Sequence, residues 1–484
     1  MRRFANRSSA RSGRTAAASE RGAVTSALEL AHSALAEGRY EAAFATLEGA
    51  ARRQRVRALQ AQYWLHLAAC YALYGLDGLE NGVPALKAAV ASDPQLVADP
   101  LYQALYWEFD AYRGASASEV KRGLRAIPAD LPPIAAYHAG AALLAVGASK
   151  SALRRLERLH DDALPTYLVW RRWSLLGQAQ EALGEWAAAA IAYGAAVDGA
   201  PPSERGPELL AYASCLLELG RIDEVLAVLG DVDEGALDEL DLGLMRYVEG
   251  RAQLEAGNPN RAYELFLEAR TFEPDAEGGF SLAYATGQAL VALQRYGDAV
   301  AVLREAVTIA PTEHRAFAQH EAAVALMESD AFDEAVPLLE EVLSDPRYPH
   351  QAEALADLAD VRLRAGDFEQ AQSDAERALD LGAVAPACLV LGSLAFEYYH
   401  LDEAVRWYEQ ALAASQVGDP VWLAAHQMLA DVHAQRGDGA ADRVLRHALA
   451  ALEHTDGASE WRLPLEAHVT RARALLGGHD RVLN

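Results

Sequence analysis

The stretch from Trp173 to Pro201 reads WSLLGQAQEALGEWAAAAIAYGAAVDGAP, and its spacing decides the fold. Gly177 lies inside one helix-length apolar segment, Gly184 interrupts the chain, and Ala189 lies in a second such segment that closes at Pro201. Two helices joined by so short a connection fold back antiparallel, with axes about 8 to 10 Å apart, and the residue at the crossing sets how near they come. Gly or Ala there lets the hairpin close, whereas a larger side chain splays it.

The same two positions recur outward in both directions. One small residue returns at Ala31, Ala68, Gly140, Gly177, Ala213, Gly250, Gly287, Ala323, Ala359, Gly392 and Ala430. A second series follows about twelve residues behind, at Ala43, Ala85, Val120, Ala152, Ala189, Val225, Ala262, Ala299, Ala335, Ala371, Ala404 and Ala441. Two series in lockstep mark a chain built by stacking one helical hairpin on the next. The structural repeat positions are typified by Gly177, Ala189, Gly250, Ala262, Gly287, Ala299, Gly392 and Ala404.

Other positions in each unit are typed as well. Trp173, Leu176, Gly177, Gly184, Trp186, Ala189, Tyr193, Ala196 and Pro201 resemble the tetratricopeptide (TPR) repeat, with its Leu-Gly, turn aromatic, Ala, aromatic, Ala and closing Pro. The resemblance returns in Gly250, Ala262, Phe266, Ala269 and Pro274, in Gly287, Tyr296, Ala299, Leu303, Ala306 and Pro311, and in Leu391, Gly392, Ala404, Tyr408 and Ala411. It implies an all-α fold, a right-handed α-solenoid of stacked antiparallel helix hairpins with about twelve repeats. Ala213, Gly250, Gly287, Ala323 and Ala359 stand 37, 37, 36 and 36 residues apart, against the usual 34 or so. That lengthens the link between hairpins and changes the stacking angle. The pattern is less regular before about residue 130: Glu108 stands where a small residue is due, and Gly75 to Gly82 adds about five residues inside the second hairpin.

The expected organisation is a basic, disordered tail over 1–22, a repeat array over 23–456, and a capping helix and tail over 457–484. In the last segment Trp461, Leu463, Leu465, Val469, Leu475 and Leu476 supply an apolar face for the end of the array. The body is strongly acidic: the chain carries −26 overall, and six arginines against Glu20 in the first 22 residues leave about −31 for the rest. Such a body repels phosphate backbones, so no nucleic-acid partner is expected. Arg2 and Arg3 are followed by no apolar export segment, and no apolar run is long enough to span a bilayer, which points to the cytoplasm. An Arg- and Ser-rich start is also compatible with an organellar transit peptide. Cys70, Cys215 and Cys388 read as reduced core residues.

No catalytic residue, metal or cofactor is expected. Gly147 to Ser151 has the end of a phosphate loop without the Gly before Lys150, and reads as a hairpin turn. His320 and Glu321 open a zinc-protease-like pattern that Val324 breaks, and Asp357 with Asp360 read as solvated acids. Asp367 followed by Gln370 reads as a helix cap.

Function therefore rests on the surface. In TPR proteins the first helix of each hairpin lines a concave groove that receives a protein or peptide. Counting three residues before and one after each series-one residue gives Ser174 and Gln178, Leu210 and Ser214, Tyr247 and Arg251, Tyr284 and Gln288, His320 and Val324, Ala356 and Asp360, and Leu389 and Ser393. Tyr247, Arg251, Tyr284, Gln288 and His320 are the candidate partner-binding residues, since Tyr and Arg carry binding hot spots. A clamp of Lys, Asn and Arg for acidic chaperone tails is absent from these positions. The reading is a non-catalytic interaction scaffold, with a peptide-sensing regulator as the alternative and an accessory enzyme subunit as the weakest.

Overall fold

The computed structural model describes residues 27–128, 130–272, 276–455 and 461–482. The basic head, Pro274 and residues 457–460 and 483–484 lie outside them. Two compact units form, Met1–Asn258 and Pro259–Asn484. In the first, the helices are α1 (27–36), α2 (Tyr40–Arg53), α3 (Arg57–Ala72), α4 (Leu79–Ser92), α5 (Pro100–Tyr112), α6 (Ala117–Arg125), α7 (Pro133–Ala145), α8 (Ser149–Leu156), α9 (Thr166–Glu181), α10 (Trp186–Gly199), α11 (Pro202–Glu218), α12 (Ile222–Gly230) and α13 (Glu239–Glu255). In the second they are α14 (Pro259–Arg270), α15 (Ala276–Ala292), α16 (Tyr296–Ile309), α17 (Arg315–Glu328), α18 (Phe332–Ser344), α19 (Gln351–Arg364), α20 (Phe368–Leu381), α21 (Val384–Glu397), α22 (Leu401–Ala414), α23 (Pro420–Gln435), α24 (Ala441–Leu452) and α25 (Arg462–Val482). Among the described residues there is no strand. Within each unit, consecutive helices pack as hairpins and each hairpin packs on the next, so the fold is an all-α solenoid.

The small residues stand where helices touch. A Cβ added at Gly177 would lie 2.8 Å from the ring of Tyr193, one at Gly140 2.6 Å from Leu156, and one at Gly392 2.6 Å from Tyr408; at Gly287 it would run into Leu303. Ala189, Ala262, Ala299 and Ala404 are fully buried. Each hairpin turn passes through the left-handed region, at Gly184 (φ 73) but also at Gln294, Asp330 and Tyr399 (φ 57, 57 and 60). Tyr is among the residues that rarely adopt that conformation. Asp367 accepts from the backbone N–H of Gln370 and caps α20.

Near the N-terminus the rule of close approach survives with its partners exchanged. Gly123 on α6 faces Trp107 on α5, and a Cβ at Gly82 on α4 would lie 2.5 Å from Phe109 on α5. The glycine has moved to the second helix and the large residue to the first, which is why Glu108 breaks the series. Glu108 is itself buried and bonds His138 Nδ1 on α7 at 2.7 Å.

The first unit also departs from nearest-neighbour stacking. The Arg171 guanidinium on α9 donates to the Tyr40 hydroxyl at 2.9 Å, across 131 residues, and lies 3.9 Å from Glu204. His32 sits 5.0 Å from Tyr167, and a Cβ at Gly38 would meet Ser203. The unit thus closes on itself, and first-helix side chains fill its interior: Glu108, Tyr137, His138, Tyr167, Arg171 and Glu208 are all buried.

Candidate functional site

First helices line open space in the second unit. A cavity of about 900 Å³ runs along α17, α19, α21 and α23, with Val291 and Tyr296 at one side and Trp461 and Pro464 at another. Helical spacing explains the lining: Val324, Met327 and Glu328 share one face of α17, and Ala356, Asp357, Asp360 and Arg364 share one face of α19. Pro386 and Leu389 on α21, and Pro420, Val421, Ala424 and Gln427 on α23, continue the wall. Pro386 and Pro420 fall in first turns, where a missing N–H removes no helical bond.

The walls are apolar and the charged groups mostly acidic, Glu328, Asp357 and Asp360 against Arg364. Arg364 donates to Asp360 at 2.9 Å. Burial, and then repulsion by Asp357 and Glu328, push the Asp360 carboxyl above its ordinary range despite Arg364. His320 Nε2 meets Asp357 Oδ2 at 2.7 Å while Nδ1 meets the Tyr348 hydroxyl at 2.7 Å, so the ring is fixed at both nitrogens and holds Asp357 in place. The Oε1 of Gln427 is buried without a hydrogen-bond partner among the described residues.

The candidate residues fall around this groove unevenly. Of the positions counted from the small residues, Val324, Ala356, Asp360 and Leu389 line it. His320 acts on it through Asp357. Gln288 bonds Glu321, whose carboxyl is raised by burial, and Tyr284 stacks near Phe280 at 5.9 Å between ring centres. Tyr247 and Arg251 belong to the first unit, where the guanidinium donates to the Tyr247 hydroxyl at 3.2 Å and pairs with Glu255 at 3.5 Å. In that unit Ser174 and Leu210 are buried, Ser174 against Glu208. Gln427, three residues before Ala430, also follows the count, whereas Val421 and Ala424 lie off it and Trp461 comes from the segment read as the end cap.

Among the described residues no cluster of His, Cys, Asp and Glu is arranged to hold a metal ion, and no helix is long and apolar enough to cross a membrane. Asp357 and Asp360 have separate partners, and Gly147 to Ser149 form the turn into α8.

Two family models described as tetratricopeptide repeat match the sequence, over residues 247–314 and 326–387. No curated protein matches it. Among solved structures the chain is similar to the Cut9–Hcn1 hetero-tetramer of the APC/C, at 12% identity over 93% of this chain and 96% of that one with a TM-score of 0.42. It is also similar to yeast Tom70, at 14% identity over 95% and 97% with a TM-score of 0.40. NprR in complex with its cognate peptide NprX is similar at 14% identity, over 55% and 82%, with a TM-score of 0.40. Over these two stretches the chain is identified as a tetratricopeptide-repeat protein.

Proposed function

We propose that the chain is a non-catalytic adaptor that holds a peptide segment of a protein partner in the groove of its second unit. One observation carries the reading: first-helix side chains leave a cavity of about 900 Å³ there, whereas the first unit fills its own interior with Tyr137, His138, Arg171 and Glu208. The volume suits a few side chains of a bound segment. Apolar walls with Glu328, Asp357 and Asp360 favour a segment that alternates apolar and basic residues.

On this reading α25 caps the array. Leu465, Val469 and Ala472 are buried in the cluster that contains Val444 and Ala448 of α24, while Leu463 stays exposed. The buried thiols of Cys70, Cys215 and Cys388 fit a reducing compartment, and the reading places the protein in the cytoplasm.

Affinity capture with wild type, with Leu389→Arg/Ala424→Arg, and with Leu381→Arg on the exposed side of α20 tests the groove. The added cations should abolish capture of a specific partner in the first variant and leave it intact in the second. Equal capture by all three proteins overturns the assignment.

A further inference from the structure

A second cavity, of about 650 Å³, lies in the first unit among α6, α7 and α8. Lys121 and Arg125 on α6 and Arg154 and Arg155 on α8, the second helices of two neighbouring hairpins, line it together with Ala136 and Leu143 of α7. Five cations border it, Lys121, Arg125, Arg154, Arg155 and Arg158, against one acid, Asp130. On a chain of net charge −26 this concentration stands out, and two of the chain's three lysines, Lys121 and Lys150, fall on these helices.

The cations are also unpaired. Elsewhere arginines meet carboxylates, as in Arg221–Glu224, Arg295–Asp298, Arg304–Glu334 and Arg362–Asp374. None of the five has a carboxylate partner among the described residues; Arg154 donates only to the backbone carbonyl of Lys150, at 3.1 Å. Glu157, between Arg155 and Arg158 in sequence, acts instead on Arg172. Burial chiefly, and then the like charge of Arg158, depress the Arg155 guanidinium.

Leu124, Leu143 and Leu159 form an apolar floor beneath the cations. That floor would be idle under an inorganic anion, and the lining has no aromatic ring on which a nucleobase could stack. We propose that this cavity binds an acidic, leucine-bearing peptide segment of a protein partner, carboxylates on the arginine rim and apolar side chains on the floor.

Fluorescence anisotropy of a labelled peptide of alternating Glu and Leu, titrated with the full chain, tests this. The peptide should bind, and raising ionic strength from about 50 mM to about 300 mM should weaken it, because the rim is exposed. Arg154→Ala/Arg158→Ala should weaken it at least about tenfold, with unchanged circular dichroism, while Leu389→Arg in the other groove should leave it unaltered. No binding to wild type, or equal binding by the double variant, overturns the proposal. So does equal affinity for a Glu–Ser peptide, which would mark a bare anion site, and so does loss of binding in Leu389→Arg.

Discussion

Replacing Gly392 by Ala tests whether the small residues are demanded by close approach. The new methyl group gains about 1 kcal/mol of helix propensity. Against this, its Cβ would lie 2.6 and 2.7 Å from two ring carbons of Tyr408 and 3.1 Å from a third. That ring has nowhere to retreat: Tyr408 is fully buried, and its hydroxyl lies 3.1 Å from Ser393 Oγ. Overpacking of this kind costs about 1 to 3 kcal/mol, so the steric cost should win by about 1 kcal/mol or a little more. For a unit of this size the midpoint should fall by about 2 to 5 °C. Gly297→Ala is the matched control, since a Cβ there meets nothing within 4 Å on α16, and it should stabilise by about 0.5 to 1 kcal/mol. Urea and thermal unfolding followed by circular dichroism read both. In Gly392→Ala/Tyr408→Leu the penalty should shrink by about 1 kcal/mol relative to the sum of the single changes. If Gly392→Ala stabilises as much as Gly297→Ala, the recurring glycines reflect composition and the reasoning fails.

Three further outcomes follow from single sites. Tyr399 holds a left-handed φ of 60 at a turn where it is 77% exposed, so Tyr399→Gly should raise stability by about 1 kcal/mol in denaturant titration. Burial raises the Glu208 carboxyl to about 7 from about 4.3 in the unfolded chain, a difference worth roughly 3 to 4 kcal/mol. Because the folded state keeps this proton longer, the penalty is absent below about pH 4, grows as pH rises and is complete above about pH 7. Glu208→Gln should therefore stabilise the protein at about pH 8 and change nothing near pH 4, as measured by unfolding midpoints across pH. His138→Ala strands the buried Glu108 carboxyl and should cost about 2 to 4 kcal/mol, whereas Glu108→Leu/His138→Leu should be close to neutral.

The hairpins could be read from the chain because they are local: Gly177, Gly184, Ala189 and Tyr193 lie within one turn-and-return, and their types follow from one crossing. Near the N-terminus the exchange of Trp107 for Gly123 hid the same crossing, since the large and small partners had traded helices. Closure of the first unit was not legible. The contact of Tyr40 with Arg171 depends on the stacking angle accumulated over several hairpins, which intervals of 36 and 37 residues alter without specifying. Tyr247 and Arg251 are bonded to each other one turn apart on α13, and the open groove of the second unit is lined by Asp360, Leu389 and Val421. The basic cavity needed three dimensions too, because Lys121 and Arg125 approach Arg154, Arg155 and Arg158 only once α6 and α8 pack beside α7.

The groove is tested most directly by photo-crosslinking from inside it. With p-benzoylphenylalanine at Leu389 or Val421, a captured partner should crosslink through one contiguous segment of mixed apolar and basic residues, and the same group at the exposed Leu381 should give none. Crosslinks from Leu381 with none from Leu389 or Val421, while the partner is still captured, would contradict the account.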